Sequence, residues 1–495
     1  MITKAIRRLT PDFQNLNITT VVFWLAITAL FIRFPFFFRD YVDRDESTFI
    51  LVAQSWVNGH LPYTQLWDVK PPLTFLYFAS IIHIFGKSLF AIRFFGTLLV
   101  IISSFFTYKI GLQIATKKIA FWSAMGSVVL QSLFGSLQGV MSEHITMAFF
   151  MPALYLLIRY RTISMVFIAA LLMGISVMVK LNMAYAILFI GIYLLYENIR
   201  NKDYSHGLRS ALAYGTGIII IILMTILPYY LQDNVLLWYK SVIQAPLEYA
   251  SARRYSILKM APFIILLLGI FYWIWKRKYI DFKESPFPLL LVTIIGIVLS
   301  FVKGGRVNGH YLIQLHPILL PMIVLAIGSI PLLKKLIWKP YCLILVLLIP
   351  MESYLEYVNV IKNKFEQGTF FNGEGISVPK YILDNDLETE NILFLGYHIG
   401  YWVLGENPPT KSATHPSNIC KEEMFAAYDN PRKTSMEEIR YIMDTLRPKT
   451  VIIRKGRRVF DKKLIEENEY INAYFLAHYK IYATVEKAEI LQRLE

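Results

Sequence analysis

Cysteine is almost absent from this chain: 495 residues contain 2, Cys342 and Cys420. That count excludes the disulfide frameworks that staple small secreted domains. Charge is scarce as well, at 17% of residues, against roughly 25% in soluble globular domains. An ordinary soluble enzyme is therefore excluded, because too few Lys, Arg, Asp and Glu are present to cover its surface. Acids are the scarcer sign, with 35 Asp and Glu against 50 Lys and Arg. The resulting net charge of +15 sits in short clusters between apolar segments. Such spacing fits cytoplasmic loops under the positive-inside bias and excludes a nucleic-acid surface. A nucleotide P-loop is missing too, since no Lys-Ser/Thr follows Gly304, Gly305 and Gly309.

What the chain does have is apolar length. Hydrophobic residues make up 56% of it, and many runs approach the roughly 20 residues that cross a bilayer as a helix. The fold class is a polytopic α-helical membrane protein of about 11 transmembrane helices, with a C-terminal soluble α/β domain. A basic start (Lys4, Arg7, Arg8) precedes the run Ile18–Phe38 without a small-residue cleavage site, so the first span is expected to be retained. Later spans are expected at about Ser88–Ile114, Ile119–Leu137, His144–Ile158, Met165–Val179, Leu181–Tyr196, Leu208–Leu231, Ile257–Trp275, Pro288–Val302, Leu312–Leu333 and Tyr341–Tyr357. Leu73–Phe85 is shorter and reads as a helix lying at the interface. A longer loop is expected at Gln232–Ser256.

Basic residues follow every second span: Lys117 and Lys118, Arg159 and Arg161, Arg200 and Lys202, Lys276 to Lys278, Lys334 and Lys335. That pattern places the N-terminus in the cytoplasm and the tail outside it. The transmembrane domain is expected over 1–357, with a first external loop at 39–87, and an extracytoplasmic α/β domain over 358–495. Within that tail Asn391–Leu395 and Val451–Arg454 read as buried strands, Ser435–Leu446 as a helix between them, and Lys480–Val485 with Ala488–Leu491 as a closing strand pair. Cys420 falls in this domain and Cys342 in the last span, so the two are not expected to meet.

The segment Asp43–Leu73 is the most informative. It places Asp43, Asp45 and Glu46 just beyond the first span, and Asp68-Val-Lys70-Pro-Pro-Leu73 some two dozen residues later. On its own such an acidic cluster is either a solvated loop or the start of an interfacial catalytic site. The order of elements resembles the first external loop of the GT-C superfamily of polyprenyl-phosphate-dependent glycosyltransferases. Within that superfamily it is most similar to bacterial relatives of protein O-mannosyltransferases and of the lipid A aminoarabinose transferase. Met141-Ser-Glu143-His-Ile-Thr-Met147 resembles the acidic second-loop element, Lys180 the lysine that ends the fifth span, and His310-Tyr to Met322 the His-Tyr…Pro element of a late span.

The resemblance implies a glycosyltransferase at the outer face of the cytoplasmic membrane. Its catalytic carboxylate maps onto Asp45 of the Asp45-Glu46 pair, with Asp43 two residues earlier as the alternative. A sugar on a polyprenyl phosphate already carries a good leaving group, so the enzyme needs one base for the incoming hydroxyl and cations for the departing phosphate. Cation and partner candidates are Lys70, Glu143, Arg306 and His310, then Asp68, Lys180, Arg253 and Arg254. Pro71 and Pro72 fix the approach of Lys70. No cofactor is assigned, and a divalent metal ion is an open alternative. The expected partners are a polyprenyl-phosphate-linked sugar, a lipid, glycan or protein acceptor, and the bilayer, with no nucleic acid. A transporter or flippase of lipid-linked sugars is the rival reading, but repeats and acids within spans are not evident. A membrane-anchored binding protein would leave the order of the loop motifs unexplained.

Overall fold

The computed structural model describes residues 16–40, 44–133, 138–252, 256–305, 308–331 and 348–494. The chain divides into two compact units: Met1–Pro35 with Arg93–Thr225 and Arg253–Leu355, and Phe36–Ile92 with Ile226–Ala252 and Glu356–Glu495. The protein is mostly helical and polytopic. Among the described residues, five helical segments are long and apolar enough to cross a membrane: Ile18–Phe38, Leu89–Ile114, Leu181–Arg200, Tyr204–Tyr230 and Phe287–Gly304. Shorter apolar helices run over Pro72–Phe85, Ile163–Val179, Ala261–Lys276 and His316–Gly328.

In the first unit the helices approach closely at small residues. A Cβ at Gly296 would lie 2.5 Å from Ala186 Cα, and one at Gly111 would lie 2.9 Å from Ala120 Cα. Small residues at such crossings let apolar helices associate where the hydrophobic effect gives no drive. Several polar side chains inside the unit bond to one another. Ser104 donates to Ser127 at 3.1 Å, and Gln131 Nε2 donates to Ser127 Oγ at 2.7 Å. The fully buried Arg33 donates to Thr97 Oγ1 at 3.3 Å and to the Gly139 carbonyl at 2.8 Å.

Several boundaries differ from the sequence reading. The helix expected to Leu137 runs Lys117–Leu130. Beyond it the Gln131 carbonyl faces His144 Nε2 at 2.9 Å instead of extending the helix, and 134–137 lie outside the described residues. The span expected from Leu312 begins as a 3-10 turn, Gly309–Gln314, and becomes a helix only at His316–Gly328. Pro317 sits at its first turn, where its missing N–H costs nothing. The expected loop Gln232–Ser256 is largely helical, through Val235–Tyr239, Lys240–Gln244 and Ala245–Ala252. Trp238, Val242 and Ala245 are buried there, a one-face spacing that a helix supplies. Most of the last expected span and Cys342 lie outside the described residues, and helix Met351–Gln367 runs past the expected exit at Tyr357.

The second unit contains a four-stranded sheet: β1 (Leu393–Phe394), β2 (Thr450–Arg454), β3 (Tyr479–Val485) and β4 (Ala488–Arg493), in the order β1-β2-β4-β3. β1 pairs with β2 in parallel, in register Leu393 to Val451. β4 pairs antiparallel with both β2 and β3. The strand segments and the helix Ser435–Arg440, continued by a π turn to Leu446, fall where the sequence placed them. Leu393, Ile439, Met443, Val451, Ile471 and Leu491 form their shared core. The segment 39–87 belongs to the same unit and is tied to its C-terminal part by hydrogen bonds. Trp402 Nε1 donates to Gln54 Oε1 at 2.9 Å, Lys87 Nζ to the Trp402 carbonyl at 2.8 Å, and the Gly375 amide to Asp40.

Candidate active site

Helix Arg44–Val57 begins with Asp45 and Glu46 in its first turn, where the helix dipole favours negative charge. Glu46 is buried, at 1% exposure, while the Asp45 side chain keeps 33%. Lys70 reaches it from the end of the following loop, with Nζ 3.5 Å from Asp45 Oδ2. Two contacts fix the approach of the lysine. Tyr63 donates its hydroxyl to the Lys70 carbonyl at 2.5 Å, and Lys70 Nζ lies 5.6 Å from the Phe49 ring centre. Pro71 is extended and Pro72 opens the next helix, Pro72–Phe85, so the lysine is held at a rigid junction. Asp68 is buried in the same loop. Burial pushes its carboxyl up from 3.8, and Lys70 pulls it partly back.

Two histidines of the tail complete this group. His415 Nε2 lies 3.9 Å from Asp45 Oδ1. His398 Nε2 lies 3.1 Å from both the Arg44 carbonyl and Thr48 Oγ1, the residues that flank Asp45. Burial lowers the proton affinity of both rings, His398 to about 3 and His415 well below 6.5, so both are neutral at pH 7. The sequence reading missed them. They stand some 350 residues from Asp45 in chain order, as the His398–Thr48 separation of 350 shows, and no local motif marks them.

The first unit holds a second group. Glu143 begins helix Ser142–Arg159 and is paired with Lys180, with side-chain exposures of 1% and 9%. Lys180 occupies the extended residue between helix Ile163–Val179 and the turn Leu181–Met183, as its place between two spans predicted. His310 Nε2 lies 3.8 Å from Glu143 Oε1, and Lys180 Nζ lies 4.6 Å from the Tyr311 ring centre. Asn182 and Gln314 exchange amide hydrogen bonds of 3.0 and 3.1 Å behind them. Three residues chosen from separate stretches of sequence thus meet. Asp43, Arg253, Arg254 and Arg306 lie outside the described residues.

The fold has solved counterparts. ArnT from Cupriavidus metallidurans bound to undecaprenyl phosphate is similar with a TM-score of 0.65 at 12% identity, covering 96% of this chain and 98% of that one. Its apo state gives 0.62 at 11% identity over the same shares. The chain has the GT-C fold. The archaeal oligosaccharyltransferase AglB from Archaeoglobus fulgidus in complex with an inhibitory peptide and a dolichol-phosphate is similar with a TM-score of 0.50 at 12% identity, covering 90% of this chain and 70% of that one. Residues 69–230 match the family described as dolichyl-phosphate-mannose-protein mannosyltransferase. No curated protein matches the chain in sequence.

Within this GT-C frame, the group around Asp45 offers a partly exposed carboxylate beside a primary ammonium. That combination suits deprotonation of a hydroxyl next to a departing anion. Among the described residues, no group of three or more His, Cys, Asp or Glu stands together to hold a metal ion.

Proposed function

We propose that this protein is an inverting membrane glycosyltransferase. It moves a sugar from a polyprenyl-phosphate carrier to a hydroxyl- or amine-bearing glycan, lipid or protein at the outer face of the cytoplasmic membrane. The observation that carries this reading is the Asp45–Lys70 pair, 3.5 Å apart at the start of a helix. Two relatives of the same fold are described with undecaprenyl phosphate and with dolichol-phosphate, which supports a lipid-phosphate donor here.

In this mechanism the acceptor oxygen attacks the anomeric carbon from the face opposite the phosphate. The new C–O bond forms as the bond from carbon to phosphate oxygen breaks, so configuration inverts. Asp45 takes the acceptor's proton. The phosphate leaves with the bonding electrons, and Lys70 turns from Asp45 to neutralise it. Glu46 adds negative charge to the same helix turn, and Asp68 holds the lysine's loop. Lys180 and His310, which meet at Glu143, are assigned to the carrier phosphate, and Arg306, with Arg253 and Arg254 as weaker candidates, is assigned the same role. About 11 spans, an inward N-terminus, and an outward α/β domain over 358–495 complete the proposal.

The test is mass spectrometry of carrier lipids and envelope glycans in cells carrying the wild-type chain, no chain, or Asp45→Asn. The expected result is a glycan modification lost in the last two, with the sugar-loaded carrier accumulating. Full modification in Asp45→Asn cells would remove Asp45 as the base.

A further inference from the structure

We infer that His415 is a positioning residue for Asp45, so that the C-terminal tail supplies part of the active site. The inference rests on the reading of Asp45 as the base. It follows from the hydrogen-bond network about the ring. His415 Nδ1 receives the Ser417 backbone N–H at 3.1 Å, and the Ser417 hydroxyl lies 2.8 Å from the same nitrogen. A backbone N–H only donates, so Nδ1 is unprotonated, and the network assigns the ring hydrogen to Nε2. Nε2 is the atom facing Asp45 Oδ1, at 3.9 Å. The ring thus presents an N–H to one carboxylate oxygen while Lys70 faces the other.

Facing one oxygen each of the Asp45 carboxylate, the ring and the lysine bias its orientation. Asp45 is one-third exposed on the first turn of its helix, where burial does not select its rotamer. The ring itself is held from two sides. His415 is buried, its centre 5.4 Å from that of His398. The preceding residue, Thr414, accepts from the Thr48 hydroxyl at 3.5 Å, one turn beyond Asp45. The charged and titratable groups around the ring are Asp45, Arg44, Lys421 and His398.

The test compares His415→Leu, His415→Gln and Ser417→Ala in full-length protein in cells. The readout is the initial rate at which the wild-type-dependent envelope product appears after induction. Membrane level and thermal unfolding are measured alongside. His415→Leu should slow the product about a hundredfold, the order set by misplacing a reacting group by about 1 Å. His415→Gln, whose amide N–H reaches toward the Nε2 position, should recover most of that loss at equal protein level. A ring that serves packing alone predicts no such recovery. Ser417→Ala keeps the histidine but removes one of two contacts to Nδ1, and should slow the product severalfold. The inference is overturned if His415→Leu retains the wild-type rate, or if the Gln and Leu variants lose it equally. Should His415→Leu fail to accumulate, an unchanged rate in Ser417→Ala overturns it alone. Product formation that survives Asp45→Asn defeats the base assignment itself, a separate failure.

Discussion

Lys70 and Asp45 are 25 residues apart in the chain, yet the lysine ammonium lies 3.5 Å from the carboxylate. Both side chains keep some exposure, 20% and 33%. A pair of that kind contributes only about 0.2–1 kcal/mol to stability. Stability alone therefore gives little reason for the pairing, and the proposed mechanism supplies one. Asp45→Asn should lower sugar transfer by about a hundredfold to ten-thousandfold, the range for losing a general base, with thermal unfolding nearly unchanged. Lys70→Met should do the same to transfer, and should also weaken binding of the polyprenyl phosphate. A large fall in unfolding temperature in either variant would reassign the pair to structure.

Glu143 and Lys180 behave differently because they are buried. Removing one partner strands a charge, at a cost of about 3–5 kcal/mol. Lys180→Met and Glu143→Gln should each lower the unfolding temperature of the detergent-solubilised protein. The double variant should regain part of that loss, because no unpaired charge remains. Additive losses in this double-mutant cycle would show that the two side chains do not depend on each other.

Most of the helical architecture was legible because apolar runs and basic clusters are one-dimensional signals. Lys180 at its span junction, and Glu143 at the start of a helix, were readable for the same reason. The boundaries that moved did so through tertiary contacts. Gln131 ends its helix because its carbonyl is taken by His144. Trp67 donates to Ser241 at 3.0 Å, pulling an apparent loop into packed helices. His398 and His415 were not legible. Nothing near Asp45 in sequence announces a partner from the tail, and a neutral, buried histidine leaves no compositional trace. Arg33 was equally hidden, sitting near the end of an apolar run whose composition says nothing of the carbonyls it meets.

Acidification should loosen the helix start that carries Asp45. Burial holds His398 at about 3, against 6.5 when free. The unfolded chain therefore binds more protons than the folded one between those values, and stability falls as pH drops below about 6.5. At pH 5 the loss reaches about 2 kcal/mol from this ring. His415 runs in the same direction. Asp68, raised by burial, works in the opposite sense, but Lys70 opposes its shift. Amide exchange over Arg44–Thr48, corrected for intrinsic rate, should accelerate between pH 7 and pH 5 in wild type. The dependence should flatten in His398→Asn. Equal pH dependence in the two proteins would show that His398 is not the responsible group.

Glu438 anchors the segment that leads to His415. It is fully buried on helix Ser435–Arg440 and accepts from Thr410 at 2.7 Å, from Ser412, from Asn430 at 3.0 Å, and from Arg432. Burial alone would raise its carboxyl, but the four donors outweigh it and leave the group below 4.5. Its folded proton affinity is thus depressed, so its contribution is present above pH 4.5 and is lost as pH falls through the lower folded value. Glu438→Gln turns an amide toward donors that need an acceptor, at a cost on the order of 3 kcal/mol. Urea denaturation of the full-length protein should show that loss at pH 7. The difference from wild type should shrink below pH 4.5, where wild type is itself being protonated. Because Thr410 and Ser412 lie just before His415, the same variant should also reduce sugar transfer while leaving the Asp45–Lys70 pair chemically intact. Transfer at the wild-type rate, in a protein destabilised as expected, would mean that the segment's position does not matter to the site.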